Sequence, residues 1–144
     1  MGYNPYMPAR DIYHDNVKQA LSKDGWTITD DPLHLKWGAK DMYVDLGVEK
    51  LIAAEKAGRK IGVEVKSFTG HSEMQDLENA IGQYIIYEDV MKQVQPDREL
   101  YLAIPDEIYH DLFEEPIGQL ILANHQVHLL VFEPDKEVIV QWIP

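Results

Sequence analysis

The stretch Ile61-Gly62-Val63-Glu64-Val65-Lys66, followed from Ser72 by a long run with helical periodicity, constrains the fold of this chain more than any other feature. Val63 and Val65 are β-branched, so the segment reads as a strand that buries one face. Period-two alternation then sets Glu64 and Lys66 side by side on the opposite face. With Asp45 upstream, these residues are the parts of a metal-and-water site for cutting a phosphodiester. Carboxylate oxygens suit Mg²⁺ or Mn²⁺, the metal lowers the pKa of a bound water, and an ammonium group orients that water or neutralises charge on phosphorus. By itself Glu64-x-Lys66 also reads as an ordinary ion pair on a solvated strand.

A chain of 144 residues, 45% hydrophobic and 26% charged, is the size and composition of one globular domain spanning 1–144. Cysteine is absent, which excludes disulfides and cysteine-based zinc sites. The six histidines are scattered, and nothing near His125 and His128 completes a ligand set. The N-terminal residues lack the apolar core of a secretory signal, and no apolar run approaches the ~20 residues of a membrane helix. A cytoplasmic protein without membrane contact is the expectation.

The net charge of −12 is unevenly distributed. Residues 1–66 hold ten basic and ten acidic side chains, whereas residues 67–144 hold three basic and fifteen acidic. DNA affinity rests on Lys and Arg displacing counterions, so any DNA contact belongs to the first half or borrows a partner's charge.

Along the chain, Ile12, Tyr13, Val17, Ala20 and Leu21 recur at helical spacing, and Gly25 is placed to end that helix. Trp26 to Ile28 begins an alternating segment, Asp30-Asp31-Pro32 marks a turn, and Leu33 and Leu35 alternate again. Met42 to Leu46 reads as a strand carrying Asp45. Leu51 to Lys56 and Lys60 to Lys66 read as a β-hairpin turning at Gly58, in competition with a helix over Glu49 to Lys56. Ser72-Glu73-Met74-Gln75 is a capping box opening a helix whose apolar stripe is Met74, Leu77, Ile81, Tyr84, Ile85 and Met91. Leu100 to Ile104 is a buried strand, and short helices follow over Asp106 to Phe113 and from Pro116 to Leu122. A C-terminal β-hairpin joins Val127–Phe132 to Val138–Trp142. The expected architecture is α/β, a mixed central sheet with a helix on each side. Gln83 and Tyr87, four residues apart on the long helix, share a face offset from its apolar stripe and can look toward Glu64 and Lys66.

Asp45, Glu64-Val65-Lys66 and Gln83-Tyr84-Ile85-Ile86-Tyr87 together resemble the PD-(D/E)xK nuclease superfamily, including the Gln-x-x-x-Tyr element of its RecB-like branch. More closely, the chain from Arg10 to Trp142 resembles the XisH family. The resembling segments are Asp11-Ile12-Tyr13-His14-Asp15, Gly25-Trp26-Thr27-Ile28-Thr29, Tyr43-Val44-Asp45-Leu46-Gly47, Glu64-Val65-Lys66-Ser67-Phe68, Gly82-Gln83-Tyr84 and Val140-Gln141-Trp142-Ile143. The resemblance implies a restriction-endonuclease-like core and a factor controlling excision of a DNA element by site-specific recombination. Its implied partners are DNA, an XisI-like companion and a separate recombinase. By the same resemblance Asp45 and Glu64 are metal ligands, Lys66 is the catalytic lysine, and Gln83 and Tyr87 orient the site or touch the DNA backbone. Val44 stands where the superfamily pattern has proline, and His14 or Asp15 stands where its first helix often carries an acid. Asp41 and Glu49 are the alternatives to Asp45 under a different strand register.

Weaker features compete with bland readings. Asp30, Asp31, Asp41 and Asp45 lack the spacing of a calcium loop. The basic tip Lys56-Ala57-Gly58-Arg59-Lys60 reads equally as a phosphate contact beside the site and as a charged turn. Trp26, Trp37 and Trp142 read as core or edge residues rather than base-stacking platforms. Gly70-His71-Ser72 offers a helix N-terminus to an anion, though the cap alone explains it. The C-terminal edge strands suit a protein partner or a second copy in a homodimer. Two functional classes remain open, an active Mg²⁺-dependent endonuclease and a regulatory binding module.

Overall fold

The structure, a computed structural model, describes residues 10–50 and 58–144. Its central sheet has six strands in the order β1-β4-β5-β6-β7-β8. These are β1 (Thr27–Asp30), β4 (Leu46–Lys50), β5 (Arg59–Val65), β6 (Arg98–Pro105), β7 (Leu129–Glu133) and β8 (Val138–Ile143). The β1–β4–β5 ladders are antiparallel, β5–β6–β7 are parallel, and β8 returns antiparallel. A separate two-stranded ribbon pairs β2 (Leu33–Trp37) with β3 (Lys40–Val44). The architecture is mixed α/β, with helices on both faces of the sheet.

One face is covered by α1 (His14–Lys23), whose Val17 and Leu21 pack on Leu46, Val48, Ile61, Val63, Val65 and Phe132. Gly25, at φ 91°, ends this helix in a conformation that a Cβ would strain. Ile12, expected on the apolar face, precedes the helix and is exposed; the buried stripe is His14, Val17, Ala20 and Leu21.

The opposite face is covered by the ribbon, by α2 (Glu73–Val94) and by the shorter helices. Those are α3 (Asp106–Ile108), continuing into a π-helical turn over Tyr109–Phe113, and α4 (Pro116–His125). Ser72 Oγ caps α2 by accepting from Gln75 N at 3.2 Å. Leu77, Ala80, Ile81, Tyr84, Val90 and Met91 form its buried face, while Met74 and Ile85 of the expected stripe are exposed. Tyr84 fixes the rotation of α2: its hydroxyl donates to Leu100 O at 3.0 Å and accepts from His128 N at 3.1 Å. Burying each of these large apolar side chains contributes about 1.5–3 kcal/mol.

The expected C-terminal hairpin pairs β7 with β8, and β7 also extends the parallel ladder beside β6. Two expectations change. The expected strand over Met42 to Leu46 breaks at Asp45, where the chain leaves the ribbon and enters the sheet. The antiparallel partner of β5 is Leu46–Lys50, starting at Lys50↔Arg59, so Glu49 belongs to a strand and not to the competing helix. The rest of the expected hairpin, Leu51 to Ala57, and the N-terminal Met1 to Pro8 lie outside the described residues.

Candidate active site

β5 is central and covered on both faces, so Glu64 is only 5% exposed and does not lie on a solvated face. Odd positions 61, 63 and 65 meet α1; Glu64 points to the α2 side, and Lys66 follows directly after the strand. The β4–β5 ladder stops at Leu46↔Val63. Beyond it, side chains replace the missing rungs. Val65 N donates to Asp45 Oδ2 at 2.7 Å, and Asp45 N donates to Glu64 Oε1 at 3.2 Å. The break between β3 and β4 therefore holds the Asp45 carboxylate at the C-terminal end of β5, the end where open α/β sheets bind ligands.

Asp45, Glu64, Lys66, Gln83 and Tyr87 line one cavity of about 100 Å³, together with Asp11 and Val65. The Lys66 ammonium lies 3.5 Å from Glu64 Oε2. Gln83 Oε1 is buried without a hydrogen-bond partner among the described residues. Asp41 and Glu49 do not line the cavity: Asp41 pairs with His34 at 2.7 Å on the ribbon, and Glu49 sits on β4 opposite Lys60.

The two acids strain against each other. Burial pushes the Glu64 carboxyl well above its usual range, and the neighbouring Asp45 charge adds to this; Lys66 offsets only part of it. Burial also raises Asp45, opposed by the Val65 N–H and by His14. Burial, with the Glu64 and Asp45 charges, pushes the Tyr87 phenol up to about 12, so it remains a proton donor at neutral pH. Among the described residues, no group of three or more His, Cys, Asp or Glu is arranged to hold a metal.

Of the two first-helix candidates, Asp15 faces solvent near Arg10, with its side chain 80% exposed. His14 is 3% exposed, and its ring spans two acids. Nε2 lies 2.8 Å from Asp31 Oδ1, and Nδ1, otherwise without a partner, faces Asp45 Oδ1 at 3.9 Å. Lys18 and Arg10 complete the setting of Asp31 at 2.7 and 3.4 Å. Burial pulls Asp31 upward, but Lys18 and His14 outweigh it and hold its carboxyl below the usual value.

Asp11 joins the site without belonging to the nuclease pattern, although it stands in the segment 11–15 that carries the family resemblance. Its carboxylate accepts from Tyr13 N and Ser67 N, both at 2.9 Å, tying the start of α1 to the residue after Lys66. The basic tip is not beside the site. Arg59 begins β5 at the end opposite Glu64, about 16 Å away at strand rise, and pairs with Glu99, while Lys60 pairs with Asp97. Lys56 lies outside the described residues. The Gly70 N–H is taken by Asp76 at 2.9 Å, and two acids already occupy the first turn of α2.

The family model described as XisH protein matches residues 7–140. A crystal structure of an XisH family protein from Nostoc punctiforme is 38% identical, with a TM-score of 0.85, over 93% of this chain and 100% of that one. A fdxN element excision controlling factor protein from Anabaena variabilis is 41% identical, with a TM-score of 0.84, over 94% of this chain and 100% of that one. No curated protein matches.

Proposed function

Because the chain belongs to the XisH family, we propose that it controls site-specific excision of a DNA element; the Anabaena relative is named a fdxN element excision controlling factor. In this reading it has a restriction-endonuclease-like, PD-(D/E)xK core and acts on DNA with an XisI-like companion and a recombinase. A second reading, that it is itself a Mg²⁺-dependent endonuclease, is favoured by one observation: five residues of the nuclease pattern meet in a single small cavity at the end of β5.

The donor set suits a hard divalent cation. The buried Glu64 and largely covered Asp45 carboxylates, with one ammonium beside Glu64, are short of positive charge, and Gln83 Oε1 lacks a partner among the described residues. Mg²⁺ is commonly held by one or two carboxylates, with waters and substrate phosphate completing the shell, so a closed protein cage is not required. When bound by Asp45 and Glu64, Mg²⁺ or Mn²⁺ supplies a polarised phosphate and a more acidic water.

The chain's own groups do the rest. Asp45 is held in place by the Val65 N–H, and Glu64 by the Asp45 N–H. Lys66 stands beside Glu64, where its ammonium can hold the attacking water or neutralise charge developing on phosphorus. Tyr87, still protonated, can donate to a phosphate oxygen, and the Gln83 amide can orient the water or the backbone.

The discriminating experiment incubates supercoiled and branched DNA with Mg²⁺ or Mn²⁺ and wild type or Lys66→Ala, alongside an assay of element excision. Metal-dependent cleavage lost in Lys66→Ala supports the endonuclease. No cleavage, with excision control intact in Lys66→Ala, supports the regulatory module. Excision indifferent to the presence of the protein would overturn the excision-control reading, and the absence of metal-dependent cleavage would overturn the endonuclease reading.

A further inference from the structure

The ribbon ends in an unusual surface. One face, formed by Leu33, Leu35 and Val44, is buried in the core, with Met42 partly so. Period-two alternation puts Trp37 on that same face, one step beyond Leu35. There the core has run out: Trp37 is 54% exposed, and Lys36, Gly38, Ala39, Lys40 and Asp41 around it are exposed too. The other two tryptophans behave differently, Trp26 being buried and Trp142 partly buried against the α1 face. Of the expected core or edge tryptophans, Trp37 is thus an edge residue lying outside the core.

Its surroundings are cationic. Lys36 precedes Trp37, and Lys40 is its cross-strand partner. Asp41, the cross-strand partner of Lys36, is engaged by His34 at 2.7 Å. Neither lysine forms an ion pair with a described residue, a property shared with Lys23 and Lys136, whereas Lys18, Lys50, Arg59, Lys60, Lys66 and Arg98 do. In a chain of net charge −12, this tip is a local positive surface. The ladder also connects it to the site. Trp37↔Lys40 stands four rungs from Leu33↔Val44, about 13 Å at strand rise, and Val44 directly precedes Asp45.

We infer that the β2–β3 tip is a DNA contact, in which Lys36 and Lys40 neutralise backbone phosphates and the Trp37 indole stacks on a base. Base–aromatic stacking tolerates any sequence, and two phosphate contacts leave a measurable salt signature. This inference rests on the reading that the protein acts on DNA, but it does not require the chain to cut it.

The test measures binding of the full chain to fluorescently labelled duplex and single-stranded oligonucleotides by anisotropy, over a range of salt. Wild type is compared with Trp37→Ala, Lys36→Ala/Lys40→Ala and, as a site control, Lys66→Ala. Trp37→Ala is expected to weaken binding at least tenfold ( stacking range, about ten- to hundredfold) and to remove tryptophan quenching by DNA. The double lysine variant is expected to flatten the slope of log K against log salt by about 2. All substituted tip residues are exposed, and circular dichroism checks that the fold is unchanged. Wild-type affinity and slope in the tip variants, or no DNA binding by the wild type, overturns the inference. Tip-dependent binding without metal-dependent cleavage supports it and removes only the endonuclease reading.

Discussion

Two acidic sites lie one imidazole apart and are built on opposite principles. Asp31 is flanked by two cations, Lys18 at 2.7 Å and Arg10 at 3.4 Å, and by the His14 ring at 2.8 Å, and its carboxyl is held below its usual range. Asp45 and Glu64 repel one another beside a single ammonium, Lys66 at 3.5 Å from Glu64, with the His14 ring 3.9 Å from Asp45, and burial raises both carboxyls. The first arrangement locks α1 to the turn after β1. The second leaves buried negative charge incompletely compensated, a condition that a stabilising site avoids and a cation-binding site exploits. His14 belongs to both, fixed by Asp31 and facing Asp45 with its unpartnered nitrogen.

The contrast is broken most severely at their shared member. His14→Ala removes a buried hydrogen bond to a charged partner and leaves a void beneath α1, so urea denaturation should show a loss of about 3 kcal/mol. A loss below about 0.5 kcal/mol would mean that the imidazole does not couple the two sites.

Asp31→Asn should cost about 1 kcal/mol at neutral pH, the modest figure reflecting solvent screening of Arg10 and Lys18. The folded value of Asp31 lies below its ordinary 3.8, so its stabilisation is complete above 3.8 and fades as pH falls through the folded value. The difference between wild type and Asp31→Asn in thermal melts should shrink in that acid window.

Glu64→Gln should act in the reverse direction. The folded value of Glu64 lies well above its ordinary 4.5, so its contribution is complete below 4.5 and is lost as pH rises through the folded value. Without metal, the glutamine variant should therefore gain on wild type as pH rises above 4.5, by roughly 1 kcal/mol. Mn²⁺ should raise the wild-type melting temperature and leave Glu64→Gln nearly unmoved, which sharpens the distinction because Asp31 predicts no response to metal. A variant less stable than wild type across pH 5 to 8 in the absence of metal would remove the idea of a strained acid pair.

The folding pattern was visible in the sequence wherever periodicity was strong. Ser72 and the apolar spacing of the long helix announced α2, and the Val63/Val65 alternation announced β5. The positions of Gln83 and Tyr87 followed from the i, i+4 rule once the helix was known. The break at Asp45 leaves no trace in the sequence, because a run of alternating residues carries no sign of where a chain leaves one sheet for another. Burial of Glu64 is also invisible there: an acid one pleat from a lysine looks solvated until α2 and the ribbon are laid over it. Trp37 is the reverse case, apolar and in register with buried leucines but carried past the edge of the core.

Local pattern by itself determined which segments are helix or strand and which side chains share a face, since those follow from backbone geometry over a few residues. Family membership was legible for the same reason, as it rests on motifs within short segments. Only the tertiary structure decided that Asp45 sits at a break between sheets, that His14 and not Asp15 turns inward, and that the acids of β5 and its neighbour face one cavity. Those outcomes depend on desolvation and on charges from residues distant in the chain, quantities that exist only once the elements have packed.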